Sequence, residues 1–177
     1  MTPTTIASKG QYGFTLTEIV IVMFGGLILL AIGVPVLNST LDQYRLVLDA
    51  QNIASQLQFA RMKAVSSNEP FRVDFPAGQD DYRVETIDLV SGNANLVSGP
   101  FFLSQGIQWN TVDTGTGVTF PGRFVVFLPT GNVQPTGNGS AGRVKLINRS
   151  QIRIDVVVDL GGTVRITPTF RNATPPF

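Results

Sequence analysis

Glu18 stands at the head of an apolar run that continues from Ile19 to Leu37 without another charge. Left ionised and unpaired at the edge of lipid, such a carboxylate costs on the order of 2–3 kcal/mol. Its chemistry is therefore electrostatic: it calls for a partner of opposite charge. Little else in the chain is reactive. There is no Cys and no His, which removes the usual zinc ligands, the Ser-His-Asp triad, Cys-His nucleophiles and disulfides. The adjacent acids Asp80 and Asp81 sit in a turn-rich stretch and read as solvated. The glycines are scattered, with no glycine-rich phosphate loop followed by Lys. No catalytic residue, metal ligand or cofactor site is expected, and the protein is not read as an enzyme.

The element that must position Glu18 is a helix. At about 1.5 Å per residue, Phe14 to Leu37 spans roughly 36 Å, enough to cross a hydrocarbon core of about 30 Å. The residues ahead of it, 1–13, are polar and small, the reverse of a secretory signal with its apolar core and small-residue exit. Lys9 precedes the span and Asp42 is the first charge after it, so the leader is placed in the cytoplasm and the rest outside. Pro35 removes one intrahelical hydrogen bond and, with Gly33, marks a point of bending. Beyond it the pattern turns amphipathic: Ala50, Ile53, Ala54, Leu57, Ala60 and Ala64 recur at helical spacing. The helix is expected to continue to about Ser66 and to end before Pro70.

From Phe71 onward the chain reads as short strands between turns. Candidates are Phe71–Phe75, Tyr82–Ile87, Phe101–Leu103, Ile107–Trp109, Val118–Phe120, Phe124–Leu128 and Val144–Ile147. A hairpin closes the series: Ile152–Val156 leads into Asp159-Leu160-Gly161-Gly162, and Val164 and Ile166 return. The stretch Gln134–Gly142 reads as a loose loop. The expected fold is α+β, a long N-terminal membrane-spanning helix packed on an antiparallel β-sheet domain.

Gly13-Phe14-Thr15-Leu16-Thr17-Glu18 resembles the processing site of type IV prepilins and pseudopilins. The resemblance implies that a prepilin peptidase cuts after Gly13 and that the new terminal Phe14 is N-methylated. It also implies that Glu18, the fifth residue after the cut, serves filament assembly, and that Pro35 kinks the helix. A freed amine at Phe14 inside a filament core would meet the Glu18 carboxylate of a neighbour, or of its own chain, in a medium of low dielectric. Ala60–Asn68, Phe127–Asn132 and Asp159–Ile166 are similar to segments of GspH/FimT-type proteins. The implied organisation is a leader peptide at 1–13, a transmembrane and filament-core helix at 14–37, its amphipathic continuation at 38–66, and a β-rich periplasmic domain at 67–177.

Charge divides the globular part. Residues 67–122 hold two arginines against seven acids, and residues 123–177 hold seven basic residues against two acids. The plainer reading is a solvated sheet whose halves attract each other or neighbouring subunits. The sharper one places Arg149, Arg153 and Arg165 along adjacent strands, in contact with DNA or a partner. DNA-capturing minor pilins of the FimT type carry Gly-Arg-x-Arg near this last turn, where this chain has Gly162-Thr163-Val164-Arg165; DNA is the less favoured partner. The resemblance thus implies a minor pseudopilin of type II secretion, near the tip of a short periplasmic filament. Its partners would be the prepilin peptidase, other pilin-like subunits, the assembly platform and the inner membrane, with its N-terminus cytoplasmic. The alternatives are a minor type IV pilin in pilus priming or DNA uptake, and a membrane-anchored periplasmic binding domain that never assembles.

Overall fold

Apolar residues three and four apart make a helix with one buried face, and that face organises the globular part. The computed structural model describes residues 14–111 and 115–169, with the side chains of residues 32–36 and of Thr169 outside that description. The chain divides into two compact units, Met1–Asn38 and Ser39–Phe177. Helix α1, Leu16–Ser67, contributes to both. It ends where Asn68, at φ 52°, takes up the left-handed conformation that commonly closes helices.

In the first unit the apolar side chains from Ile19 to Leu30 are exposed. The crossing expected over residues 14–37 takes in residues 32–36, including Pro35, whose side chains lie outside the described residues. Among the described residues no helix is long and apolar enough to cross a membrane. Gly13 and the rest of the expected leader also lie outside them.

In the second unit the expected stripe is the core stripe. Ala50, Ile53, Ala54, Leu57, Ala60 and Ala64 are all buried, joined by Leu46 one turn earlier. Fully burying a Leu or Ile side chain contributes about 1.5–3 kcal/mol, so Leu46, Ile53 and Leu57 are major anchors. The buried alanines between them complete the stripe.

Two four-stranded antiparallel sheets form, where the sequence suggested one. The first has the order β3 (Ala94–Phe102), β2 (Asp81–Ile87), β1 (Phe71–Asp74), β5 (Phe124–Phe127). The second has the order β4 (Ile107–Trp109), β6 (Gly142–Asn148), β7 (Arg153–Val158), β8 (Val164–Thr169). The division follows from long-range pairing: Val73 faces Val84 on one side and Val125 on the other, while Trp109 opposes Leu146. Phe75 ties the core together, stacking on Tyr82 and Phe120 and meeting Trp109 edge-on at 5.8 Å. The expected strand Val118–Phe120 reduces to one bridge, Val118 to Val144. The stretch expected as a loose loop instead covers the edge of β5, since Val126 donates to Gly139 and accepts from Gln134.

Candidate functional site

The first turn of α1 is built by a capping pattern. Thr15, just outside the helix, accepts the Glu18 backbone N–H on its Oγ1 at 3.3 Å and on its carbonyl at 3.1 Å. Thr15-Leu16-Thr17-Glu18 has the Thr-x-x-Glu spacing of a capping box, and an acid in the first turn also suits the helix dipole. The Thr15 cap was not read from the sequence, although the spacing carried it. Phe14 and Glu18 are both exposed, and with Ile19, Val22 and Met23 they line a shallow apolar groove of about 270 Å³. One carboxylate thus sits among side chains that offer it no hydrogen bond, on a helix face continuing into exposed apolar residues.

A second cluster lies where α1 meets the sheets. Arg61 donates from Nε to the Gly131 carbonyl at 2.8 Å and from a terminal nitrogen to the Gly161 carbonyl at 3.1 Å. One guanidinium therefore joins the helix to the turn after β5 and to the β7–β8 turn. Gly162 is buried at φ 74°, and a Cβ there would strike the Gly131 carbonyl oxygen. Sequence reading found the Gly161-Gly162 turn but not the Arg61 link, because nothing local ties position 61 to positions 131 and 161. Asp49 makes a similar clasp on the same helix: its two carboxylate oxygens accept the N–H and the hydroxyl of Ser104, each at 2.8 Å. Burial, then the nearby Asp49 charge, pushes the Tyr82 phenol above its usual range.

The basic residues are placed apart. Arg149 lies in the turn after β6, exposed, its guanidinium against Gly106. Arg153 is half-buried on β7 opposite Ile147 and Thr169. Arg165 opposes Val157, four residues along β7 and so about 13 Å from the Arg153 row. Arg165 also pairs with Asp159 at 3.0 Å, and Arg143 with Asp155 at 3.6 Å. The Asp159 carboxyl is held below its usual range, first by the Thr163 N–H and then by Arg165. Of the expected cationic face, Arg165 is thereby paired within the sheet. Among the described residues no group of three or more acidic side chains is placed to hold a metal ion.

Residues 49–162, from the Asp49 clasp to the glycine under Arg61, match the family described as type II transport protein GspH. The chain belongs to the GspH family. No curated protein sequence matches it. Among solved structures, the minor pseudopilin EpsH from the type 2 secretion system of Vibrio cholerae is similar. It is 14% identical with a TM-score of 0.50, over 70% of this chain and 97% of that one. The type IV minor pilin FimU of Pseudomonas aeruginosa is similar too, at 13% identity and TM-score 0.54, over 74% of this chain and 96% of that one. At these identities the likeness is one of fold: this GspH-family chain shares a pilin-like α+β architecture with both.

Proposed function

We propose that this GspH-family chain is a minor pseudopilin of a type II secretion system. It is anchored in the inner membrane through residues 14–37, with its leader cytoplasmic and its sheets periplasmic, and it assembles near the tip of a short filament. The observation that carries this reading is the family match over residues 49–162 on a chain whose α1, just after Phe14, carries a lone Glu18 in an exposed apolar face. An exposed apolar surface of that extent calls for lipid or protein cover.

The steps follow from charge. Prepilin peptidase cuts between Gly13 and Phe14, and methylation of the new amine leaves it cationic. While the subunit waits in the membrane, residues 14–37 hold it there, and Pro35 lets the helix bend. In the filament, Glu18 neutralises the Phe14 amine of a neighbour, an attraction that strengthens as water leaves. A subunit out of axial register leaves both charges buried and unpaired, which costs several kcal/mol. The work is mechanical and recognitive: the helix assembles, and the sheets dock other subunits.

Replacing Glu18 by Ala tests the registration step. The expected variant inserts in the membrane and is processed like the wild type, yet is depleted from sheared filaments and slows secretion. Incorporation at the wild-type level would show that Glu18 does not register assembly.

A further inference from the structure

Unpaired strand edges are templates for other chains, and proteins usually blunt them with charge, proline or a covering loop. The first sheet covers one edge and leaves the other open. Its β5 edge is taken up by Val133, Gln134 and Gly139. Its β3 edge, among the described residues, has no strand beyond it. The nine residues of β3, Ala94–Phe102, carry no charge, and Leu96, Val97 and Phe102 are exposed, Phe102 at 73%. A bulge in its pairing with β2 bends this edge without covering it, and Pro100 removes one backbone donor near its Phe102 end while leaving Asn95 to Gly99 with theirs.

The surroundings of β3 say what would fit it. At one end a cavity of about 500 Å³ is lined by Asp80, Asp81, Arg83, Leu96, Pro100 and Phe102. There the Asp81 side chain is 6% exposed, its Oδ2 pairs with Arg83 at 3.7 Å while its Oδ1 has no hydrogen-bond partner, and Asp80 is exposed with no ion pair among the described residues. At the other end a second cavity, of about 620 Å³, is lined by Glu69, Asp88, Leu89, Asn93 and Asn95 among others. Glu69 and Asp88 are exposed there, again without an ion pair among the described residues. Asp88 is held in the ionised form first by the Ser91 hydroxyl and then by the Val90 N–H. The edge is therefore uncharged along its length, with exposed apolar side chains at Leu96, Val97 and Phe102, and acidic at both ends, about 27 Å apart for an extended strand of this length.

We propose that the free edge of β3 receives an extended segment of a neighbouring pilin-like subunit, apolar in its middle and basic at its ends, as an added strand of the first sheet. Backbone hydrogen bonds would supply the attachment, and the side chains meeting Leu96, Phe102 and the terminal acids would supply the selection. The proposal rests on the reading of the chain as a filament subunit.

The chain has no cysteine, so a Val97→Cys variant of the full protein can carry one photoreactive label, in cells that make its own pilin-like subunits. A Val22→Cys variant, labelled in the same way on α1, reports assembly independently of the sheet. The expected result is a cross-link from position 97 to a different pilin-like subunit, mapped by peptide mass spectrometry to an extended basic and apolar segment. Adding Leu96→Lys and Phe102→Lys should reduce that cross-link about tenfold, the loss of two favourable cross-strand contacts together with the repulsion they introduce. Both side chains are exposed, so thermal unfolding should stay unchanged. Capture at 22 with none at 97, or capture at 97 that ignores the two lysines, overturns the strand-addition proposal and leaves the filament reading standing. A product of two copies of this chain from position 97 overturns the choice of occupant. Silence at both positions overturns the filament reading itself.

Discussion

Two adjacent glycines in the β7–β8 turn should respond differently to the same substitution. Gly162 is buried at φ 74°, and a Cβ there would collide with the Gly131 carbonyl and press on the Arg61 guanidinium at 3.0 Å. Alanine in the left-handed region costs about 1–2 kcal/mol. Moving the Gly131 carbonyl also breaks its bond to Arg61, a charged hydrogen bond worth about 1.5–3 kcal/mol. Gly162→Ala should therefore destabilise by about 3–5 kcal/mol, a fall in Tm on the order of 10 °C for a chain of this size. A Cβ on Gly161 meets only Asp159 Oδ1, at 3.4 Å, and Gly161 has no positive φ. Gly161→Ala should be neutral, or stabilising by about 0.4–1 kcal/mol through the unfolded chain. Thermal unfolding of the two variants in the same detergent, followed by circular dichroism, makes the comparison. Equal melting temperatures would refute the Arg61–Gly131–Gly162 packing as described.

Other consequences are open to measurement. Asp49→Ala strands the Ser104 N–H and hydroxyl, so it should cost about 1–3 kcal/mol in denaturant unfolding, whereas Asp49→Asn should recover part of that. Asp159 has a depressed folded pKa, so its contribution is complete above the unfolded value of about 4 and is lost as pH falls below it. Amide exchange at Thr163 should accordingly rise below about pH 4 relative to an Asp159→Asn variant, which shows no such step. With Arg165 paired to Asp159 and Arg153 about 13 Å from it along the sheet, duplex DNA should show no salt-sensitive mobility shift with the full chain in detergent. A shift abolished by Arg153→Ala or Arg165→Ala would revive nucleic acid as a partner.

Periodic features were legible in the sequence because they are local. The α1 stripe from Ala50 to Ala64 is the buried face, and the expected helix end at Ser66 falls one residue short of Ser67. The β7–β8 hairpin declared itself through alternation and two glycines. What escaped depends on distant partners. Strand β3 was reduced to its last residues because an edge strand exposed on both faces lacks alternation. The split into two sheets rests on pairings such as Phe71 with Phe127, across more than fifty residues. Arg61 carries no signature of its own, since its two acceptors are backbone carbonyls on remote turns. At the N-terminal site the demand of Glu18 for a cation was legible from its place at the head of an apolar run. The structure added Thr15 as the cap that fixes the backbone beneath it.

Processing at the Gly13–Phe14 bond is the event on which the filament account depends, and intact-mass spectrometry of the membrane-extracted protein reads it directly. The account predicts the mass of a chain beginning at Phe14 plus one methyl group. An unprocessed chain beginning at Met1, from cells whose prepilin peptidase is active, would contradict it.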